Sequence, residues 1–148
     1  VVRSYKLRGA YNMMSTLSAE QRSKGVVCAS AGNHAQGFAY SCNKLSMKGV
    51  VFMPIITPKQ KVNQTKMFGE NNIEIILTGD TYDDCSETAK KYTEKNGMTF
   101  IPAFEDARII EGQGTVGVEI LEDLQEIDYL FVPIGGGGLC SGVGTYFK

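Results

Sequence analysis

The sequence predicts an α/β protein in which parallel sheets are covered by helices on both faces. Segments of helical periodicity alternate with four short apolar runs, which begin near residues 26, 50, 73 and 99. This alternation is typical of parallel sheets. Two glycine-rich turns, at 30–37 and 135–138, each follow an apolar run. Open sheets of this kind bind ligands at the carboxyl ends of their strands, so both turns are placed where a ligand is expected.

Composition limits the class of function. The 148 residues are 43% hydrophobic and 21% charged, with a formal net charge of −1, which fits one globular domain or parts of two. Lys and Arg are spread along the chain, so neither nucleic acid nor a membrane surface is an expected partner. Four widely spaced cysteines with no Cys-x-x-Cys pair favour reduced core thiols and a cytoplasmic location over disulfides or a zinc site. A small-molecule ligand is therefore expected.

The first elements follow from periodicity and capping signals. Apolar residues at helical spacing predict a helix after Lys6, which places this lysine at the mouth of the helix. Ser18 and Gln21 form a predicted capping box for a second short helix that Gly25 ends. The run Val26–Ala29 predicts a buried strand, and the polar glycine turn after it leads into a third helix.

The middle of the chain repeats the strand and helix pattern. Thr57 and Pro58 predict the N-cap and first residue of a helix that ends near Gly69. Another strand is expected from Ile73 to Leu77, and Asp80 is the predicted cap of the next helix. That helix should end before Gly97, which we take as the boundary between a small lobe (1–97) and part of a large lobe (98–148).

The last third is predicted to contain one helix and one strand before the second turn. An irregular polar stretch is expected up to Gly114, followed by a helix whose apolar face includes Val116 and Ile120. Tyr129–Ile134 reads as a buried strand that leads into Gly135–Gly138 and a final helix. The chain begins without Met and stops at Lys148 inside this apparent helix, so we expect a fragment that is inactive by itself.

Four successive glycines before a helix predict an anion site. Backbone without Cβ can adopt positive φ, and several N–H groups can then converge at the positive end of the helix dipole. A Walker loop is excluded because no Gly-Lys-Ser/Thr follows, and the dinucleotide fingerprint fits poorly. The first turn offers similar N–H groups, with Asn33 able to donate and accept. His34 lacks neighbours at metal-ligand spacing, so we interpret it as a loop-bracing residue and expect no metal site.

Three motifs together give the chain a close resemblance to the pyridoxal-phosphate-dependent serine/threonine dehydratase family. They are Ser4–Ala10, Ser30–Gly37 and Gly135–Leu139, in this order and spacing. The resemblance runs through essentially the whole chain and includes Phe52–Pro54, Thr57–Phe68 and Gly112–Thr115. It implies a two-lobed fold of the tryptophan synthase beta type, present here as a fragment, with pyridoxal 5′-phosphate as the cofactor.

The resemblance also implies a role for each motif. In that family the lysine matching Lys6 forms the Schiff base, with the residue before it, here Tyr5 in place of the usual Phe, packed on the cofactor ring. The asparagine matching Asn33 contacts the pyridine hydroxyl. The implied substrate-carboxylate turn consists of Ser30, Ala31, Gly32, Asn33 and His34. The implied phosphate loop consists of Gly135, Gly136, Gly137, Gly138 and Leu139. A Schiff-base lysine needs a lowered pKa, which burial near Arg3 and Arg8 could supply.

The implied reaction is the dehydration of L-threonine to 2-oxobutanoate and ammonia, the first step of isoleucine biosynthesis, with L-serine as an alternative substrate. Rival activities within the same cofactor family are catabolic serine/threonine dehydratase, serine racemase and cysteine synthase. Serine racemases place a serine at the position of Ala31, so the resemblance favours elimination. A non-catalytic phosphate or nucleotide binding module would not need Lys6. We further expect the full-length protein to form a homo-oligomer.

Overall fold

A computed structural model describes residues 2–124 and 126–148. Four parallel strands form one sheet in the order β3-β2-β1-β4, which confirms the predicted fold class. The strands are β1 (Val26–Ala29), β2 (Gly49–Met53), β3 (Ile73–Leu77) and β4 (Thr99–Phe100). The helices are α1 (Lys6–Ser15), α2 (Ala19–Lys24), α3 (Asn33–Lys44), α4 (Lys59–Gly69), α5 (Tyr82–Asn96), α6 (Ala107–Asp123) and α7 (Gly138–Tyr146).

The sheet is covered on both faces by separate apolar clusters. On one face, residues of α1 and α3 such as Met14 and Phe38 are fully buried against side chains of β1 and β2. On the other face, Cys85 and Ala89 of α5 pack on Val27 of β1. The two central strands are buried along their whole length, as expected for parallel strands with helices on both sides.

Most predicted turn and cap signals are confirmed. The capping box of Ser18 and Gln21 is present, and Gly25 ends α2. Gly97 ends α5 in the left-handed region, at φ 61°, where glycine carries no Cβ penalty. The division into two lobes near Gly97 stays a prediction, although the sheet itself continues past this position because β4 pairs with β1.

Two predicted N-caps lie one residue too early. Helix α5 is capped by Thr81, which exchanges hydrogen bonds with Asp84, and not by Asp80. A threonine followed three residues later by an acidic residue satisfies two free N–H groups at once, which Asp80 cannot do in that register. Helix α4 begins at Lys59, so Pro58 is its cap residue. The Thr57 hydroxyl is buried without a hydrogen-bond partner in the described chain.

Helix α6 is longer than predicted, because it begins at Ala107 and includes both Gly112 and Gly114. The Asp106 side chain accepts a hydrogen bond from the Arg108 N–H and so caps the helix. The glycines lie inside the helix because neighbouring backbone approaches them closely. A Cβ on Gly114 would lie 3.1 Å from the carbonyl oxygen of Gly142 in α7. The first part of the helix, up to Gly114, was missed because glycine here permits close packing, whereas glycine in a sequence usually indicates a break in a helix.

The predicted strand at Tyr129–Ile134 is wrong for this chain. The segment has no regular structure, and Phe131 is 90% exposed while Ile134 is 73% exposed. No strand lies alongside it among residues 2–124 and 126–148, so its backbone groups have no ladder to join. Most of its apolar side chains therefore face solvent.

Candidate active site

Lys6 is the first residue of α1, and its side chain reaches back toward the segment after β4. Its Nζ donates a hydrogen bond to the carbonyl oxygen of Ala103 at 2.6 Å. The amine also lies 5.5 Å from the centre of the Tyr5 ring and 5.6 Å from that of Phe104. Partial burial among these groups lowers the pKa of Lys6 from its ordinary value, because desolvation disfavours the charged amine.

The expected contribution of neighbouring arginines to this pKa is wrong. The Arg8 guanidinium turns away and binds both carboxylate oxygens of Glu119 in α6, at 2.6 and 2.7 Å. It also donates to the Thr115 hydroxyl at 3.0 Å. Burial is the cause of the lowered Lys6 pKa, and Arg8 serves to hold α1 against α6.

The first turns of α1 and α3 lie side by side. A Cβ on Gly37 would be only 2.9 Å from the Cα of Leu7, so glycine permits this close approach. Asn33, one turn before Gly37, therefore begins α3 next to the beginning of α1, and its side chain is exposed. The structure thus brings the turn predicted to bind a carboxylate close to Lys6.

The turn from Ser30 to Gly32 is shaped by its own hydrogen bonds. The Ser30 N–H donates to the carbonyl oxygen of Phe52 at 3.0 Å, and the Ser30 hydroxyl accepts from the Gly32 N–H at 3.2 Å. Ala31 is partly buried and packs against the core. In the described chain the N–H groups at the start of α3 have no protein acceptor; they belong to Asn33, His34 and Ala35. These groups can bind an anion such as a carboxylate.

His34 is buried and connects the Ser30–Gly32 turn to the segment after β4, which agrees with its interpretation as a loop-bracing residue. Its Nε2 lies 2.9 Å from the carbonyl oxygen of Ile101, and a carbonyl can only accept, so Nε2 carries the proton. Burial, and next the nearby positive charge of Lys6, lower the pKa of His34 to about 4. The imidazole is therefore neutral at pH 7. Across the described residues, no cluster of three His, Cys, Asp or Glu side chains is placed to hold a metal ion.

This buried imidazole predicts a specific pH dependence of stability. Because the pKa of His34 falls from 6.5 to about 4 on folding, the unfolded chain binds one more proton between these values, so stability declines as the pH drops from 6.5 to 4. We expect His34→Gln, which keeps an N–H donor but does not titrate, to remove this part of the decline. Urea unfolding of both full-length proteins at several pH values tests the prediction. Equal slopes for parent and variant would contradict it.

The second glycine turn has the features of an anion loop. Gly137 caps α7 with φ of 84°, and a Cβ on Gly135 or Gly137 would meet nothing within 4 Å. Within the described part of the chain, the N–H groups of this loop and of the first turn of α7 have no protein acceptor; they belong to Gly135, Gly136, Gly137, Gly138 and Leu139. Such a nest of free N–H groups at a helix N-terminus fits a phosphate.

The segment between β4 and α6 joins these parts, and sequence reasoning did not identify it. The carbonyl oxygens of Ile101 and Ala103 accept from His34 and Lys6, and the Phe104 ring packs against Gly136. These contacts use two backbone carbonyls and one aromatic ring, which leave no pattern in the sequence. The only signal in the sequence was the position of this segment, directly after the predicted strand that begins near residue 99.

The candidate site is an open surface in this chain. Asn33, Gly135 and Gly136 are exposed, and Lys6 is half-buried. A separate cavity of about 510 Å³ opens between α1, α3 and α6 and includes none of these residues.

Comparison with known proteins agrees with this geometry. The sequence pattern of pyridoxal-phosphate dependent enzymes matches residues 2–148. The chain is 58% identical to the biosynthetic L-threonine dehydratase IlvA of Halalkalibacterium halodurans, and the match covers 100% of this chain and 36% of that protein. For the enzyme of the same name from Staphylococcus aureus the identity is 57%, with 99% and 36% covered. The chain therefore spans about a third of the length of these relatives.

Solved structures show the same likeness. Threonine deaminase isoform 2 from Solanum lycopersicum superposes with a TM-score of 0.95 at 47% identity, covering 99% of this chain and 40% of that one. Maize serine racemase superposes with a TM-score of 0.92 at 36% identity, covering 98% and 43%. Both matches confirm that the sheet and its helices have the arrangement found in these enzymes.

Proposed function

We propose that this chain, which belongs to the family of pyridoxal-phosphate-dependent enzymes, carries the cofactor lysine and the phosphate loop of an L-threonine dehydratase. The full-length protein would convert L-threonine to 2-oxobutanoate and ammonia, as the first step of isoleucine biosynthesis. One observation carries the proposal: the half-buried Lys6, whose pKa is lowered, and the glycine loop with its free N–H groups both contact the Ala103–Phe104 segment.

The described residues fit pyridoxal phosphate. The loop Gly135–Gly138 and Leu139 would hold the phosphate, because its N–H groups have no protein acceptor and its outer side is open. Lys6 would attach the aldehyde, since a lowered amine pKa favours the nucleophilic neutral form. Asn33 is exposed beside Lys6 and free to contact a ring hydroxyl, and Tyr5 would pack against the ring. When bound, the cofactor supplies a sink for the electrons left by the departing Cα proton.

The protein's own residues then bind, orient and move protons. The free N–H groups at the start of α3 would receive the substrate carboxylate beside Lys6. After the substrate has displaced the Lys6 amine from the cofactor, Nζ of Lys6 would take the Cα proton of the substrate. A lowered pKa suits this role, because a larger fraction of the amine is unprotonated at neutral pH. The β-hydroxyl would leave as water with the proton returned by the Lys6 Nζ, and hydrolysis by a second water would then yield the 2-oxo acid and ammonia.

The test uses the full-length protein. Incubation with pyridoxal phosphate and L-threonine should release 2-oxobutanoate and ammonia in equal amounts. Borohydride should fix the cofactor to the peptide that contains Lys6. Attachment at another lysine would overturn the assignment of Lys6. Tight phosphate binding with no covalent attachment would instead favour a non-catalytic binding module.

Serine racemase is the second candidate, since the maize enzyme of that name shares the fold. Inversion needs a proton donor or acceptor on the side of the cofactor away from the lysine, where the resemblance implies a serine in racemases. Here the position holds Ala31, whose methyl group packs against the core and cannot transfer a proton. Elimination is therefore the favoured reaction.

We expect Ala31→Ser to raise inversion of L-serine in the full-length protein at least about tenfold, because general acid–base catalysis by a positioned group contributes that much or more. Chiral chromatography of D-serine alongside measurement of pyruvate gives the ratio of inversion to elimination. Ala35→Ser, a buried change in the first turn of α3, controls for an added hydroxyl elsewhere. Inversion that exceeds elimination in the parent would overturn the dehydratase assignment.

The remaining properties are proposals of the same kind. We propose a cytoplasmic location, which three buried free thiols, those of Cys28, Cys42 and Cys85, support. Burial raises the pKa of Cys28, which keeps this thiol protonated and unreactive. We also propose that the full-length protein is a homo-oligomer. No helix in the described residues is both long and apolar enough to cross a lipid bilayer.

A further inference from the structure

Phe104 occupies the space between the lysine and the glycine loop. Its ring centre lies 5.6 Å from the Lys6 Nζ, within the range of a cation–π contact. The same ring packs under Gly136, where an added Cβ would overlap Cγ and Cδ1 and lie 2.7 Å from Cδ2. The Phe104 backbone also supports Gly138, whose Cβ would lie 3.1 Å from the Phe104 carbonyl oxygen.

The two faces of the glycine loop are therefore unlike. On one face, alternate glycines rest on Phe104, while on the other face Gly135 and Gly137 meet nothing within 4 Å. The open face is the one that can receive a phosphate. The Phe104 side chain therefore sets the distance between the glycine loop and Lys6.

The lysine is fixed to the same segment. Its Nζ donates to the carbonyl oxygen of Ala103, the residue directly before Phe104. A cofactor attached at Lys6 and held by its phosphate at Gly135–Gly138 is anchored at both ends, so the separation of the two anchors must match its length. Binding sites need such anchors fixed by packing around them.

We propose that Phe104 is a positioning residue that sets the spacing between Lys6 and the phosphate loop. It acts through the loop backbone and through the lysine amine. The inference rests on the proposed function, because it assigns the residue that organises the same cofactor site. It predicts that the need for glycine at position 136 comes from the Phe104 ring and not from the phosphate.

The main experiment measures the affinity of full-length apoprotein for pyridoxal phosphate from its visible absorption band. Gly136→Ala should weaken binding at least about tenfold, because the added methyl overlaps the Phe104 ring and displaces the loop. Phe104→Ala removes Cγ and the rest of the ring, so this single variant should also bind pyridoxal phosphate more weakly than the parent. In the double variant the added methyl fits the vacated space, so affinity should recover to near that of Phe104→Ala alone.

Two matched variants make the test specific. Phe104→Leu keeps an atom at the overlapping Cγ position, so it should fail to rescue Gly136→Ala. Gly135→Ala points its methyl into open space, so its effect on affinity should multiply with that of Phe104→Ala and show no rescue. Equal weakening by Gly136→Ala with and without the ring would overturn the proposal.

A second measurement tests the lysine side and does not require the double variant to fold. Labelling of Lys6 by an acylating reagent in the apoprotein should be faster in Phe104→Ala, since the ring covers one side of the amine. Tyr92→Ala is the control, because its half-buried ring packs on Phe52 at 5.3 Å, on the α5 face of the sheet. An unchanged Lys6 labelling rate in Phe104→Ala would refute coupling to the lysine.

Failure of the inference is distinguishable from failure of the proposed function. If borohydride does not fix the cofactor to Lys6 in the parent protein, the proposed function fails, and the inference fails with it. If the parent is labelled at Lys6 but Phe104→Ala does not rescue Gly136→Ala, only the inference fails.

Discussion

Lys6→Ala should abolish threonine dehydration by the full-length protein, with a loss of at least about a thousandfold. The same amine is proposed to attach the cofactor and to move the Cα proton, so one substitution removes both functions. The fold should persist, because the Lys6 side chain is half-buried at a helix start and, among residues 2–124 and 126–148, makes one hydrogen bond, to the Ala103 carbonyl oxygen. Measurement of 2-oxobutanoate formation, together with circular dichroism and the visible cofactor band, tests this expectation.

Lys44→Ala provides a matched control for the loss of a lysine. Its Nζ also lies close to an aromatic ring, 5.7 Å from the centre of Tyr40, but it is at the opposite end of α3 from Asn33. This variant should keep the covalent attachment at Lys6. Residual turnover by Lys6→Ala within tenfold of the parent would show that Lys6 is not the cofactor lysine.

The covered parallel sheet and the glycine turn after β1 could be predicted because they depend on local patterns, whereas the second glycine turn follows no strand among the described residues. Alternation of apolar runs with helical periodicity reports burial on both faces, and glycine clusters after strands report chain reversal. Lys6, Asn33 and Gly135–Gly138 were identified in this way together with a family resemblance. Their positions in the structure agree with a shared site, while their roles stay predictions.

What the sequence could not reveal depends on contacts between distant backbone segments. Gly112 and Gly114 resembled helix breakers, yet they lie inside α6 because other helices cross there. Phe104 and Ala103 belong to no recognisable motif. Every residue has a backbone carbonyl, so the sequence does not show which carbonyl accepts a hydrogen bond from Lys6. Tyr129–Ile134 has the composition of a strand, but a strand forms only beside another one.

The crossing of α1 and α6 leads to the second large expected effect. A Cβ on Gly112 would lie 2.6 Å from the Cα of Gly9 and 2.7 Å from the carbonyl oxygen of Arg8. Both obstacles are backbone atoms, so no side-chain rotation can relieve the overlap. The two helices must therefore separate when any larger residue replaces Gly112. Since Lys6 begins α1 and the segment holding Ala103 leads into α6, this separation also lengthens the Lys6–Ala103 hydrogen bond.

Gly112→Val should lower the free energy of unfolding by about 3 kcal/mol, the upper end of typical overpacking costs, and weaken pyridoxal phosphate binding at the same time. Denaturant unfolding and cofactor titration of the full-length protein measure the two effects. Gly144→Ala is the matched control, because this helical glycine in α7 has no described atom within 4 Å of an added Cβ and alanine favours the helix. If Gly112→Val were as stable as Gly144→Ala, close backbone contact would not set the spacing of α1 and α6, and the position of Lys6 would depend on other contacts.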